Sequence, residues 1–184
     1  MGALLLAAFF LVRFGLLGRL DREAIGRAAR FAPMRGGERA AYWVYQLSTG
    51  GLLLGVLTAR ICLMPSVPFW CGLLLCGAGL ILLALSVIAF AAPPPDGVCR
   101  SGVYRLSRNP MYLAYFLYFL GCGLLARSPL LCGLALTLQI SAHWVIRAEE
   151  RWCAQCLGEP YLRYARDVPR YLGLPARKPR EETE

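Results

Sequence analysis

The chain has 184 residues, 58% of them hydrophobic, a mean hydropathy of +0.51 and a formal net charge of +9. Apolar residues gathered into runs long enough to cross a bilayer core exclude an ordinary water-soluble domain of this size. The alternation of a β-barrel is absent, which leaves helices as the spanning structure; nor does the charge signal nucleic acid, because nearly all the arginines fall between or after the apolar runs, where they set topology.

Five apolar segments follow in order, at about 3–17, 40–62, 67–92, 111–125 and 129–146. The first is interrupted by Arg13. It lacks a basic start and a clean small-residue cleavage site, so it reads as a retained helix rather than a signal peptide, with Arg13 snorkelling or pairing inside the bundle. The linker at 18–39 carries Arg19, Arg22, Arg27, Arg30, Arg35 and Arg39. The linker at 93–110 carries Arg100, Arg105 and Arg108, and the chain after Ile146 is again basic. The opposite connections hold only Arg60 and Arg127. Five crossings therefore put every basic stretch on one side, the cytoplasmic one, with the N-terminus opposite. The compact, arginine-rich style points to the plasma membrane of a bacterium.

The run Pro93-Pro94-Pro95-Asp96-Gly97 ends the third helix. Only Ala126-Arg127-Ser128 separates the last two apolar segments, which predicts a tight antiparallel hairpin with Pro129 in the first turn of the returning helix. The expected fold is an all-α, polytopic membrane bundle of about five transmembrane helices with a C-terminal cytoplasmic helical segment. It forms one domain over 1–184, with N-terminal helices in 1–92, a functional core in 96–171 and a charged, frayed tail at 176–184.

Of the eight cysteines, Cys62, Cys71, Cys76, Cys122 and Cys132 lie in or beside apolar runs and read as small packing residues. Cys153 and Cys156 form a single CxxC. With no second CxxC or His pair to complete four ligands, no metal is expected.

The polar residues concentrate at the ends of the hairpin. Asn109 before Pro110 reads as an N-cap and helix start, and the positive end of that helix, with Arg105 and Arg108 just before it, suits a carboxylate or phosphate. Tyr104 and Tyr112 add ring faces. Gln139, His143, Arg147 and Glu150 recur at spacings of four, four and three, which sets them on one helical face running to the cytoplasmic end, where Glu149 joins them. Gly158 reads as a helix stop and Pro160 as a new start, after which Tyr161 and Tyr164 share a face and Val168-Pro169-Arg170-Tyr171 follows.

The order Gly-x-Tyr-x-x-x-Arg-Asn-Pro-x-Tyr, helical hairpin, Glu-Glu, Gly-x-x-Tyr-x-x-Tyr, Val-Pro resembles the isoprenylcysteine carboxyl methyltransferase and phospholipid methyltransferase superfamily. The resemblance covers about Asp96 to Tyr171. It implies a membrane enzyme that uses S-adenosylmethionine in a cytoplasm-facing pocket closed by the C-terminal segment. It assigns Tyr104, Arg108, Asn109, Pro110, Tyr112, Glu149, Glu150, Tyr161 and Tyr164 to the cofactor cradle. Many relatives carry His where this chain has Asn109, which removes a base at that position.

The catalytic candidates are His143, Arg147 and Glu150, with His143 or a glutamate as the base if the acceptor is an amine. The expected acceptor is a lipid or lipid-modified small molecule that enters from the bilayer, foremost a prenylcysteine-like carboxylate. An NADPH-dependent steroid or enone-lipid reductase is the alternative reading, because such enzymes share an Arg, Pro and Tyr before a helix. A non-enzymatic membrane protein is the third.

Overall fold

The computed structural model describes residues 1–21, 32–92 and 94–173. Arg22, Arg27 and Arg30 of the first linker, Pro93 and the tail at 176–184 lie outside the described residues. Among the described residues the regular structure is entirely helical. Helix α1 spans Gly2–Leu20 and contains a π-helical stretch at Leu11–Leu16. Then come α2 (Glu38–Thr58), α3 (Val67–Ala91), a 3₁₀ turn (Gly102–Arg105), α4 (Pro110–Leu125), α5 (Pro129–Leu157) and α6 (Glu159–Asp167).

Three of these helices, α1, α3 and α5, are long and apolar enough to cross a membrane. The expected count of five is not reached by that measure, for two separate reasons. Helix α4 is apolar but has 16 residues, about 24 Å of helix. Helix α2 has 21 residues but begins Glu38-Arg39 and carries Gln46, Ser48 and Thr49. Even so, α2 presents Trp43, Leu47, Leu54 and Leu57 outward, and α3 does the same with Leu74 and Ile81. An apolar outer surface of this extent suits lipid rather than water.

Helix α3 packs along α4, α2 packs along α5, and α4 and α5 form the expected hairpin. Ser128 caps α5 by accepting from the amide of Leu131 at 3.3 Å, with Pro129 following it. The fifth apolar segment was expected to end near Ile146, but α5 continues to Leu157. Ala148, Glu149, Glu150, Arg151, Ala154 and Gln155 are good helix formers, so the helix runs out of the apolar zone without a break. It stops at Gly158, whose φ of 61° is tolerated best by glycine.

The α3–α4 contact depends on missing side chains. A Cβ on Gly79 would lie 2.7 Å from the amide nitrogen of Tyr118, and one on Gly121 would lie 2.7 Å from that of Cys76. Such small residues let helix backbones approach where lipid offers no hydrophobic driving force. Gly121→Ala is therefore expected to lower stability in detergent by about 1–3 kcal/mol. Gly77→Ala, which meets nothing within 4 Å, should leave the thermal melt unchanged. Equal melts for the two variants would show that the seam is not tightly packed.

Candidate active site

A cavity of about 340 Å³ lies where the 3₁₀ turn, the start of α4, the end of α5 and the face of α6 converge. All nine residues of the expected cofactor cradle line it. Tyr104 comes from the 3₁₀ turn, and Arg108, Asn109, Pro110 and Tyr112 from the entry into α4. Glu149 and Glu150 come from the end of α5, and Tyr161 and Tyr164 from α6. The local reasons are simple. Pro110 starts α4 beside the cavity, and α5 outlasts its apolar segment by enough turns to carry both glutamates there. Gly158 then redirects the chain so that the face of α6 bearing Tyr161 and Tyr164 comes back over them.

The two glutamates are held differently. Oε1 of Glu149 accepts from the Tyr112 hydroxyl at 2.8 Å. Glu150 is buried among donors. Nδ2 of Asn109 donates to its Oε1 at 3.1 Å, and Nε and Nη2 of Arg170 lie 2.9 and 2.8 Å from its Oε2. Arg108 faces the same carboxylate, Nε to Oε1, at 3.5 Å, too long for a hydrogen bond, so that Nε is buried with a charge partner but without a hydrogen bond among the described residues.

The C-terminal segment is tied to the loop before α4. The amide of Arg108 donates to the Pro169 carbonyl at 3.1 Å, and that of Gly173 to the Leu106 carbonyl at 3.2 Å. The Tyr164 hydroxyl donates to the Tyr104 carbonyl at 2.8 Å. Tyr161, Tyr164 and Val168 form a small second core with Val98. Val98 is presented by a turn in which Asp96 accepts from its amide and pairs with Arg100; these contacts, the Val98 amide foremost, hold the Asp96 carboxyl below the usual carboxylate range. Burial pushes the phenols of Tyr104, Tyr161 and Tyr164 up from the ordinary tyrosine value, so they remain neutral donors through the physiological range.

Several expectations meet a different geometry. Asn109 occupies the N-cap position, but its side chain makes no capping bond; it turns to Glu150 and to the Arg170 carbonyl. The start of α4 thus lacks a side-chain cap where it borders the cavity. Arg105 is exposed and is not among the cavity residues. The polar face of α5 does not converge on one site. Gln139 and His143 lie within about 20° of Glu150 around the helix but about 16 and 10 Å from it along the axis, while Arg147 is turned about 60° away.

Arg147 is exposed and lines a separate open groove between α2 and α5 with Arg35, Val44 and Trp144. His143 stacks on Tyr171, and its Nδ1 lies 2.6 Å from the Tyr171 hydroxyl. Glu150 alone of the three catalytic candidates lines the cavity. Cys153 also lines it, while Cys156 is exposed. Among the described residues no group of three or more His, Cys, Asp or Glu could hold a metal ion.

Sequence reasoning missed three contributors. Arg170 was seen only as part of a Val-Pro-Arg-Tyr run, with no sign of its partner twenty residues earlier. Tyr45 of α2 and Arg13 of α1 line the cavity from the N-terminal half, where no motif announced them. The break at Arg13 in an apolar run was the available signal.

A family model described as phospholipid methyltransferase matches residues 67–159, just over half of the chain. The match runs from α3 to the first residue of α6 and so includes both glutamates and the entry into α4. No curated protein and no solved structure was found to match the chain.

Proposed function

The chain belongs to the phospholipid methyltransferase family, and from that premise we propose that this integral membrane methyltransferase esterifies the carboxylate of a lipophilic acceptor, such as a prenylcysteine-like one. The donor implied by the family is S-adenosylmethionine, and the site is the cavity beneath α6. The whole chain acts as one domain. The basic linkers and C-terminal stretch support a cytoplasm-facing site.

The residues present fit the donor. It carries an amino-acid carboxylate, an ammonium, a positively charged sulfur and an adenosine. Arg108, whose Nε is buried without a hydrogen bond, and the start of α4 without its side-chain cap suit the carboxylate. Glu149 suits the ammonium or the sulfonium, and the tyrosine rings suit the adenine and the cationic sulfur. Bound there, the donor supplies a methyl group on a sulfonium, which leaves as a neutral thioether when the acceptor oxygen takes the methyl.

One observation carries the choice of acceptor. Glu149, the cavity carboxylate with no cationic partner among the described residues, accepts from Tyr112 and is assigned to the donor's positive charge, which leaves little to act as a base toward the acceptor. Glu150 is engaged by Arg108, Arg170 and Asn109. His143 is bound to Tyr171 away from the cavity lining, and Asn109 cannot take a proton. An amine acceptor must lose a proton on methylation, whereas a carboxylate reacts as it stands. What remains for the chain is to position the two reactants and exclude water, a role that suits α6, whose Tyr161 and Tyr164 line the cavity.

The test is calorimetry of S-adenosylmethionine on the solubilised protein with NADPH in parallel, then turnover with a prenylcysteine carboxylate, phosphatidylethanolamine and a long-chain thiol. Saturable S-adenosylmethionine binding and methyl-ester formation are expected. NADPH binding alone would replace the reading with a reductase, and N-methylation of phosphatidylethanolamine would overturn the carboxylate.

A further inference from the structure

Two arginines line the cavity, and they are held in opposite ways. Arg108 is opposed by Glu150. Arg13 forms no ion pair with a described residue, and its Nη1 is buried without a hydrogen-bond partner among them. Its guanidinium carbon instead sits 5.4 Å from the Phe14 ring centre and 6.0 Å from that of Tyr115. A charge in a membrane helix is costly unless something compensates it, and cation–π contact supplies only part of that.

Position adds to the argument. Tyr115 follows Tyr112 by about one turn of α4 toward the bilayer interior. Arg13 therefore stands at the membrane-side end of the cavity, with Arg108 at the opposite, loop-side end. It also sits within the π-helical stretch Leu11–Leu16. One wide turn in an α-helix re-aims the side chains after it, and such turns recur at functional sites.

The geometry points to Arg13 as the residue that holds the anionic group of the lipid acceptor at the membrane-side end of the cavity, across from the loop-side end that suits the donor's carboxylate. The inference rests on the methyltransferase reading and deepens it. The acceptor is a lipid oxyanion, and the guanidinium fork matches a carboxylate by two parallel hydrogen bonds. A carboxylate held there stays ionised and keeps a lone pair on each oxygen. As an oxygen–carbon bond forms to the methyl group, the sulfur–carbon bond breaks and its electron pair stays on sulfur; no proton moves. The product is a neutral ester. It has lost the charge that Arg13 holds, so methylation itself weakens the product's grip on the site and returns it to the lipid.

The experiment compares binding of S-farnesyl-N-acetylcysteine and its methyl ester to solubilised protein saturated with S-adenosylhomocysteine, with dioleoylphosphatidylethanolamine as a third probe. The native chain is expected to prefer the carboxylate over the ester by about tenfold or more. Arg13→Met should bind the two alike, and Arg13→Lys should keep part of the preference. Both variants should retain native S-adenosylmethionine affinity and melting temperature. Loss of phosphatidylethanolamine binding in Arg13→Met, with no preference for the carboxylate, would support Arg13 as the holder but make the anion a lipid phosphate. An unchanged carboxylate-to-ester ratio in Arg13→Met, or a fall in S-adenosylmethionine affinity of the same size, would overturn the inference. A native chain that binds no S-adenosylmethionine would instead count against the methyltransferase reading.

Discussion

Glu150→Ala is expected to lower the stability of the solubilised protein by about 3 kcal/mol and to reduce S-adenosylmethionine affinity beyond detection. The carboxylate is 10% exposed and faces Arg108, which is 12% exposed, and Arg170. Removing one partner of a buried ion pair leaves the other charge uncompensated, which costs more than the pair contributed. The loss would also spread. Arg170 would no longer be held to α5, Asn109 would lose one of its two acceptors, and the segment over the cavity would be freed at one end. Glu150→Gln keeps an acceptor for Asn109 but not the charge, and should fall between. Chemical denaturation of both variants checks this. A loss below about 1 kcal/mol in Glu150→Ala would mean that the cluster behaves like a solvent-exposed ion pair.

The second large effect is expected at Glu149, with the fold left intact. Glu149→Gln preserves the shape and the acceptor for Tyr112 while removing the negative charge. A charge-assisted hydrogen bond is worth about 1.5–3 kcal/mol, so S-adenosylmethionine should bind about 10- to 100-fold more weakly. The comparison with S-adenosylhomocysteine, which has a neutral sulfur, locates the charge that Glu149 meets. A larger loss for S-adenosylmethionine assigns Glu149 to the sulfonium, and equal losses assign it to the ammonium. No loss for either removes Glu149 from the cradle.

The helices were legible because membrane burial demands long apolar runs, and their ends were legible where Ser128, Pro129 and Gly158 mark them chemically. The same holds for Tyr161 and Tyr164, whose three-residue spacing sets them on one face of α6. The motif order was enough to gather nine residues that the structure brings to one cavity. What the sequence could not show is whatever depends on partners far along the chain. Asn109 follows the N-cap pattern, yet Glu150 and the Arg170 carbonyl are stronger claims on its amide than the start of its own helix. His143 shares a helical face with Glu150 but stands about 10 Å up the axis from it, and Arg147 is turned about 60° away, so neither reaches the cavity. Arg13 lay in plain view, but nothing in its neighbours reveals the π-helical stretch that directs it. Three helices qualify as spans by length and composition, because α4 is apolar but short and α2 is long but polar at its start: apolarity says where a helix is and not how it meets the bilayer.

The backbone pairing of residues 168–173 with the loop before α4 joins parts of the chain some sixty residues apart, as the Asn109 bond to the Arg170 carbonyl does. A contact so distant closes a long loop, which places it late in folding. Beyond Val168 and the Arg170–Glu150 pair it is made of a few hydrogen bonds at an edge rather than of interdigitated core. Local opening of that edge therefore needs far less free energy than unfolding of the α3–α4 seam. In native-state hydrogen exchange the amides of Arg108 and Gly173 should trade their protons together and well before those inside α4. The edge beside the start of α4 is thereby the part of this region that opens first.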